Sequence, residues 1–214
     1  KSLQYNIKRQ QQRIRIFETG LVFNNKDDLK QESHIAGLIT GNINEKEWGK
    51  ESILTDFYDM KCDVETLLSS LVGARDTEML PSATKILHPR QAVDLLVEGD
   101  SAGYFGRLHP KICAELNIPE NIYIFEIVIN KILKKKKISF KKISKYPSVK
   151  RDISIIISEE IRFEDVMKCA GNYGTNLLLN VALFDVYQGE GIEKGKKSLA
   201  LRLTFQATSS TLTD

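Results

Sequence analysis

The run Ile-Ser-Ile-Ile-Ile at residues 153–157 restricts the fold of this chain more than any other stretch. Four β-branched side chains in five residues crowd a helix but pack well on a pleated surface, so the run reads as a strand. Two more strands follow. Residues 181–187 end at the turn Gln188, Gly189, Glu190, Gly191. Residues 198–205 alternate, with Leu199, Leu201, Leu203 and Phe205 on one face and Ser198, Ala200, Arg202 and Thr204 on the other. That pattern predicts a sheet covered on one side and open on the other. An open face edged by Arg, Lys, Ser and Tyr suits single-stranded RNA, whose unpaired bases stack and hydrogen-bond.

A chain of 214 residues has room for one large or two small domains. Its 42% apolar and 28% charged content is that of a globular protein. No apolar run approaches the length of a membrane span. Residues 1–6 are polar and lack a starting Met, so the sequence is expected to begin inside a longer polypeptide. Residues 211–214 have the form of a helix start, and a sheet with one apolar face needs a covering layer. A second helix and a strand are therefore expected to be missing at the end. Cys62, Cys113 and Cys169 stand far apart, which fits reduced thiols rather than disulfides or a metal site. His34, His88 and His109 are equally isolated. His88-Pro89 and His109-Pro110 read as a turn and a helix start, not as catalytic groups.

Charge is uneven. Residues 130–151 hold Lys131, Lys134, Lys135, Lys136, Lys137, Lys141, Lys142, Lys145, Lys150 and Arg151 with no acid, so a chain of net charge +3 carries −7 elsewhere. Two accounts of this belt stand side by side: contact with nucleic-acid phosphates, or a solvated linker.

In chain order, residues 1–12 are polar. Residues 13–17 alternate, residues 18–20 turn, and residues 21–23 resume a strand. Residues 24–32 read as a charged loop, and residues 34–40 as a buried strand ending at the turn Gly41-Asn42. Phe57 and Tyr58 sit in a short extended piece. Val64, Leu67, Leu68 and Leu71 form one helical stripe, with Asp63 as its cap and Gly73 as its stop. Residues 92–97 and 102–108 form a hairpin around Glu98-Gly-Asp100. Pro110 opens a short helix carrying Ile112, Leu116 and Ile118, and residues 122–129 form another strand. The reading is an α+β fold with a largely antiparallel sheet over residues 1–130, a basic link over 131–144, and a second domain over 145–214. In that domain a helix spans 163–173, with Phe163, Val166, Met167 and Ala170 apolar and Asn172 and Gly174 at its end. Strand, helix, strand, turn, strand, with the missing pieces added, is the β-α-β-β-α-β plan of a ferredoxin-like unit, incomplete at its C-terminus.

Four segments carry a family resemblance: Lys-Tyr-Pro-Ser-Val-Lys-Arg-Asp at 145–152, Leu-Phe-Asp-Val-Tyr-Gln-Gly at 183–189, Gly-Lys-Lys-Ser-Leu-Ala-Leu-Arg-Leu at 195–203, and Thr-Leu-Thr-Asp at 211–214. They resemble the ferredoxin-fold anticodon-binding domain of the bacterial phenylalanine–tRNA ligase beta subunit. The first part independently resembles that subunit's synthetase-like core. It does so through Tyr5, Asn6 and Arg9, residues 15–20, Asp-Phe-Tyr-Asp-Met-Lys at 56–61, Leu87-His-Pro89, Gly-Tyr-Phe-Gly-Arg-Leu-His-Pro at 103–110, and Phe125 with Glu126.

The resemblance implies a class II synthetase-like core without catalytic residues. It implies activation of phenylalanine on the alpha subunit in an alpha2beta2 assembly, tRNA(Phe) as partner, a cytoplasmic setting and no membrane contact. ATP and Mg2+ would serve the holoenzyme, with no cofactor in this chain. No arginine-rich, glycine-flanked ATP segment is visible, and Arg107 after Gly106 reads as structural. Editing modules lie upstream in that family, so no editing, catalytic or metal residue is assigned. Two alternatives remain: an assembly scaffold that binds no RNA, and a piece of a single-chain, organellar-type synthetase.

The same resemblance nominates site residues. Tyr187 matches the aromatic residue that packs on an anticodon base; the plainer account is a strand-end Tyr filling sheet surface. Ser198 matches a residue that hydrogen-bonds an anticodon base, against a satisfied strand serine. Ser154 stands where a small residue lets a base approach. Arg151 and Lys197, with Lys150 and Lys196, are candidates for phosphate or base-edge contact, against solvated charges. Asp152 and Asp185 read as structural: Asp152 holds Arg151, or one of them caps a turn.

Overall fold

Residues 13–24 pair without interruption with residues 30–41. A computed structural model describes residues 1–24, 30–71, 77–133, 143–173 and 177–212. It divides into two compact units, Lys1–Ile138 and Ser139–Asp214.

The first unit runs α1 (Ser2–Lys8), β1 (Arg13–Asn24), β2 (Lys30–Gly41), α2 (Phe57–Leu71), β3 (Thr77–Pro81), β4 (Leu87–Val97), β5 (Asp100–Leu108), α3 (Pro110–Leu116), β6 (Ile122–Val128) and α4 (Ile129–Ile132). Its six strands form one sheet in the order β1-β2-β6-β5-β4-β3. Every neighbouring pair is antiparallel.

Helix α2 lays Met60, Val64 and Leu68 onto this sheet, where they meet Ile39, Leu95, Phe105, Tyr123 and Ile127. Leu67 and Leu71 pack at the margin of the same core, so the predicted stripe is the buried one. The helix begins earlier than predicted. Phe57 and Tyr58 lie in its first turn, not in an extended piece. Asp56, not Asp63, is the cap: its Oδ1 accepts from the backbone N–H of Tyr58 at 2.7 Å and of Asp59 at 3.1 Å. Asp59 reaches back to the Asp56 N–H at 2.7 Å. That reciprocal pair satisfies the otherwise orphaned donors of the first turn. Asp63 is freed to pair with Arg15 of β1. The predicted stop, Gly73, lies outside the described residues.

Other boundaries also moved. The polar opening holds α1, whose Leu3 packs against Leu108, Cys113 and Ile122. Glu18, Thr19 and Gly20 do not turn; they pair with Ala36, Ile35 and His34 in the middle of the β1–β2 ladder. Cross-strand pairing overrides the local turn preference there. Asn24 ends β1, and Lys30, Gln31 and Glu32 belong to β2 rather than to a loop. Strand β3 has no counterpart in the sequence reading, and Ile129 begins α4 instead of ending β6. The predicted hairpin forms, but β4 begins at Leu87 rather than at residue 92 and Asp100 already belongs to β5, so the turn is Glu98 and Gly99 alone, at φ of 54° and 83°, the backbone of a tight two-residue turn. His109 caps α3, its Nδ1 accepting from the Lys111 N–H at 3.1 Å, with Pro110 first in the helix. His88 and Pro89 lie in β4 rather than in a turn, and His88 Nδ1 accepts from the Arg90 N–H at 3.2 Å. Ile118 lies beyond α3, which ends at Asn117 in the left-handed conformation. Arg107 is structural, donating to the Glu120 carbonyl at 3.0 Å and to its carboxylate at 3.3 Å.

The motif Gly-Tyr-Phe-Gly has a steric cause. A Cβ on Gly103 or on Gly106 would lie 2.2 Å from a neighbouring strand's carbonyl oxygen, that of Glu126 or of Gln91. Only glycine allows β5 to approach β6 and β4 this closely.

On the sheet face away from α2, Glu126 accepts from the Tyr104 hydroxyl at 2.6 Å and faces His34 Nδ1 at 2.8 Å. Burial alone would raise the Glu126 carboxyl. The hydrogen bonds from Tyr104 and His34, with the charge of a protonated His34, outweigh it and hold the group below its ordinary value of 4.5. Burial, then Glu126 itself, pushes the Tyr104 phenol up. A carboxyl lowered by folding stabilises fully above its unfolded value, and that contribution is lost as pH falls through the folded value. Melting temperature is therefore expected to fall less steeply below about pH 4.5 in Glu126→Gln than in the unsubstituted chain. Parallel slopes in a pH series of thermal melts would sink this assignment.

The second unit runs β7 (Val149–Ser158), α5 (Phe163–Tyr173), β8 (Leu178–Tyr187) and β9 (Lys196–Phe205). Its sheet order is β7-β9-β8, with β9 central and both pairs antiparallel. This is the strand-helix-strand-strand part of the ferredoxin-like plan. Leu199 and Leu201, each 2% exposed, mark the covered face. Phe163, Val166, Met167 and Ala170 of α5 are half-buried. The segment before β7 is tied to the end of β9: Ser144 Oγ donates to the Ala207 carbonyl at 2.7 Å, and Gln206 Nε2 to the Tyr146 carbonyl at 2.8 Å.

Candidate nucleic-acid interface

The three strands of the second unit bring Tyr187, Ser198 and Ser154 to one face. Ser198 on β9 is the cross-strand partner of Tyr187 on β8 and of Ile156 on β7, so these three form one row. Ser154 lies opposite Ala200, diagonal to Ser198, and the two serine hydroxyls are 3.0 Å apart. Tyr187 is 47% exposed. Its hydroxyl donates to the Glu190 carbonyl at 3.1 Å. Its ring lies over Gly189, where an added Cβ would come within 2.8 Å of the phenol oxygen. The turn thus holds a flat ring at the end of a row of small polar and apolar groups. Such a surface can stack one base and offer hydroxyl partners to its edge.

Arg151 and Lys197 do not join them. Arg151 pairs with Leu203 and Lys197 with Ile157, on the face of Leu199 and Leu201. Successive strand residues point to opposite faces, so a residue beside Asp152 or Ser198 cannot share its face. Lys197 donates to the Glu159 carbonyl at 2.8 Å. Their neighbours Lys150 and Lys196 have the open-face register, opposite Thr204 and Ser158, and Lys196 is paired with Glu193 at 2.8 Å. Alternation also corrects the partner expected for Asp152. Its carboxylate accepts from Arg202 across the strands, at 2.8 Å from Nε and 2.7 Å from Nη2. Those bonds, with the charges of Arg202 and Lys150, hold the Asp152 carboxyl below its ordinary range.

Ile156 and Phe184 were not placed on the open face by the sequence reading. Leu183 pairs with Leu201 and Asp185 with Ala200, so two steps on β8 match one on β9, and Phe184 sits in the bulge. The Arg202 guanidinium lies 5.3 Å from the Phe184 ring centroid. Local sequence carries no signal for Phe184, because Val181, Ala182, Leu183 and Phe184 form an unbroken apolar run that does not say which of them faces out.

Of the basic belt, Lys134, Lys135, Lys136, Lys137, Lys141 and Lys142 lie outside the described residues. Among the described residues no group of three or more His, Cys, Asp or Glu could hold a metal ion. Cys62, Cys113 and Cys169 are unpaired thiols. Among the described residues no helix is long and apolar enough to cross a membrane.

Comparison with known proteins fits both units. The family model described as phenylalanyl tRNA synthetase beta chain CLM domain matches residues 1–129. The model described as ferredoxin-fold anticodon binding domain matches residues 144–214. The phenylalanine–tRNA ligase beta subunit of Methylococcus capsulatus is 39% identical over 212 residues, which is 99% of this chain and 27% of that protein. Those of Nitrosococcus oceani and Colwellia psychrerythraea are 41% and 38% identical, over 100% and 99% of this chain and 27% of each relative. The chain thus spans about a quarter of the length of these curated relatives. With the first model covering well over half of its residues, the chain belongs to the phenylalanyl-tRNA synthetase beta chain family.

Proposed function

We propose that this chain works as part of a phenylalanine–tRNA ligase, and that its open three-stranded sheet binds the unpaired anticodon bases of tRNA(Phe). One observation supports the reading: Tyr187, Ser198 and Ser154, which lie in three different segments of the sequence, share one sheet face, with the two serine hydroxyls 3.0 Å apart. In this reading Tyr187 stacks a base, Ser198 bonds its edge, and Ser154 leaves room for it. Arg151 and Lys197, on the other face, would meet phosphate only where the RNA backbone wraps the sheet edge.

The division of labour follows. Residues 1–130 act as a class II synthetase-like support that packs against the alpha subunit of an alpha2beta2 enzyme in the cytoplasm. Residues 131–144 link it to the anticodon-binding unit at 145–214. ATP and Mg2+ belong to the alpha-subunit chemistry, and this chain contributes binding and positioning rather than bond-making.

The test is a salt-dependent titration with tRNA(Phe) and with the same tRNA carrying a changed anticodon. The reading expects tighter binding of the first at every salt concentration, with a common salt slope set by phosphate contacts. Equal affinity for both would leave the chain an assembly scaffold. Amino-acid-dependent ATP–pyrophosphate exchange by this chain alone would favour the single-chain synthetase instead.

A further inference from the structure

Phe184 is 55% exposed on the sheet face that carries Tyr187. The β-bulge turns it outward. Beside it stands a second flat group, the Arg202 guanidinium, 5.3 Å from the ring centroid. Both carboxylate oxygens of Asp152 hold that guanidinium, so its position is set before any ligand arrives. Its charge is matched by the same carboxylate, which suits it to stacking more than to phosphate attraction.

We propose that Phe184 and Arg202 form a second base-stacking position, which takes a different unpaired nucleotide of the same RNA loop from the one on Tyr187. This rests on the reading of the open face as an RNA platform and adds a second contact to it. Spacing requires two nucleotides. Phe184 and Tyr187 are three residues apart, on the order of 10 Å along a strand at about 3.3 Å per residue. Bases stacked on one another are about 3.4 Å apart. One base cannot cover both rings, and two bases stacked together cannot reach them. The RNA must be splayed, with one base on each aromatic group.

The test uses the 214-residue chain and an RNA stem-loop carrying the tRNA(Phe) anticodon loop, together with versions in which one loop base at a time is removed to leave an abasic sugar. Phe184→Leu keeps an apolar side chain but removes the ring. It is expected to weaken stem-loop binding roughly 5- to 150-fold, the range for one base on an aromatic face. The slope of log affinity against log salt is expected to stay unchanged. Phe184→Trp is expected to bind as the unsubstituted chain does, and thermal melts of both variants check folding. The Phe184→Leu loss is expected to vanish with one particular abasic loop, and the Tyr187→Ala loss with a different one. Unchanged affinity in Phe184→Leu, or coupling of both residues to the same nucleotide, overturns the second position while the platform stands. Failure of the unsubstituted chain to bind the stem-loop overturns both.

Discussion

Phe105→Ala is expected to lower the stability of the first unit by about 3–5 kcal/mol, the usual cost of emptying a large aromatic site in a core. Phe105 is fully buried at the centre of the α2-facing sheet surface. Its ring stacks on Phe57, with centroids 5.7 Å apart and planes at 24°. It also stands opposite Phe125 on β6. Phe57 opens α2 immediately after the Asp56 cap, so the stack fixes where the helix lands on the sheet. Truncation removes the contacts of a whole ring, and the rigid strand positions of Gly103 and Gly106 leave the backbone little room to collapse into the gap. Urea unfolding followed by far-UV circular dichroism measures the change. A loss under about 1 kcal/mol would mean that the helix and sheet do not meet at this ring.

Tyr187→Ala is expected to weaken binding of tRNA(Phe) by about 1–3 kcal/mol while leaving stability nearly unchanged. The residue is exposed, and its one described hydrogen bond goes to a nearby turn carbonyl. Little folding energy is at stake. Tyr187→Phe keeps the π face and is expected to bind within about threefold of the unsubstituted chain, since a solvent-accessible hydroxyl bond contributes little net energy. Gly189→Ala separates position from presence. Its new Cβ would lie 2.8 Å from the phenol oxygen and 3.0 Å from Cζ, so the ring has to swing away. The tip of a flexible side chain moves cheaply, so this variant is expected to fold normally yet bind RNA more weakly. Fluorescence anisotropy with labelled tRNA reads all three variants. Normal binding by Tyr187→Ala would remove the tyrosine from the interface.

Sequence reading succeeded where one periodicity acted alone. The alternation at residues 198–205 placed Leu199 and Leu201 inside and Ser198 outside, as the structure has them. The stripe of Val64, Leu67, Leu68 and Leu71 found the buried face of α2. It failed where a distant partner decides. Gly20 looked like a turn residue because its pairing with His34 is invisible in local sequence. Asp63 and Asp56 are both good caps, and the longer helix won because Phe57 gains a core partner in Phe105. Arg151 and Lys197 were within reach of correction, since alternation applied to β7 and β9 already turns them away from Ser154 and Ser198. Phe184 was not: only the register of β8 on β9 reveals the bulge that exposes it.

On the proposed reading, the open face would read sequence through the groups at a base edge. Base stacking on an aromatic face is tolerant of base identity, so selectivity has to come from the groups at the base edge. Ser154 and Ser198 now satisfy one another at 3.0 Å, and a bound base would replace that mutual bond with its own. Little net energy is gained per bond, but a base that cannot supply the matching donor or acceptor leaves both hydroxyls poorly paired.

The most direct measurement is the set of intermolecular proton contacts, by isotope-edited NMR, between the anticodon stem-loop and this chain. Ile153 and Ile156 lie three residues apart on β7 but on opposite faces, and both are exposed, at 41% and 59%. The account predicts contacts from loop bases to the Ile156 methyls and the Tyr187 ring, with none to Ile153. Contacts to Ile153, or to neither isoleucine, would contradict the claim that the open face of this sheet is where RNA is read.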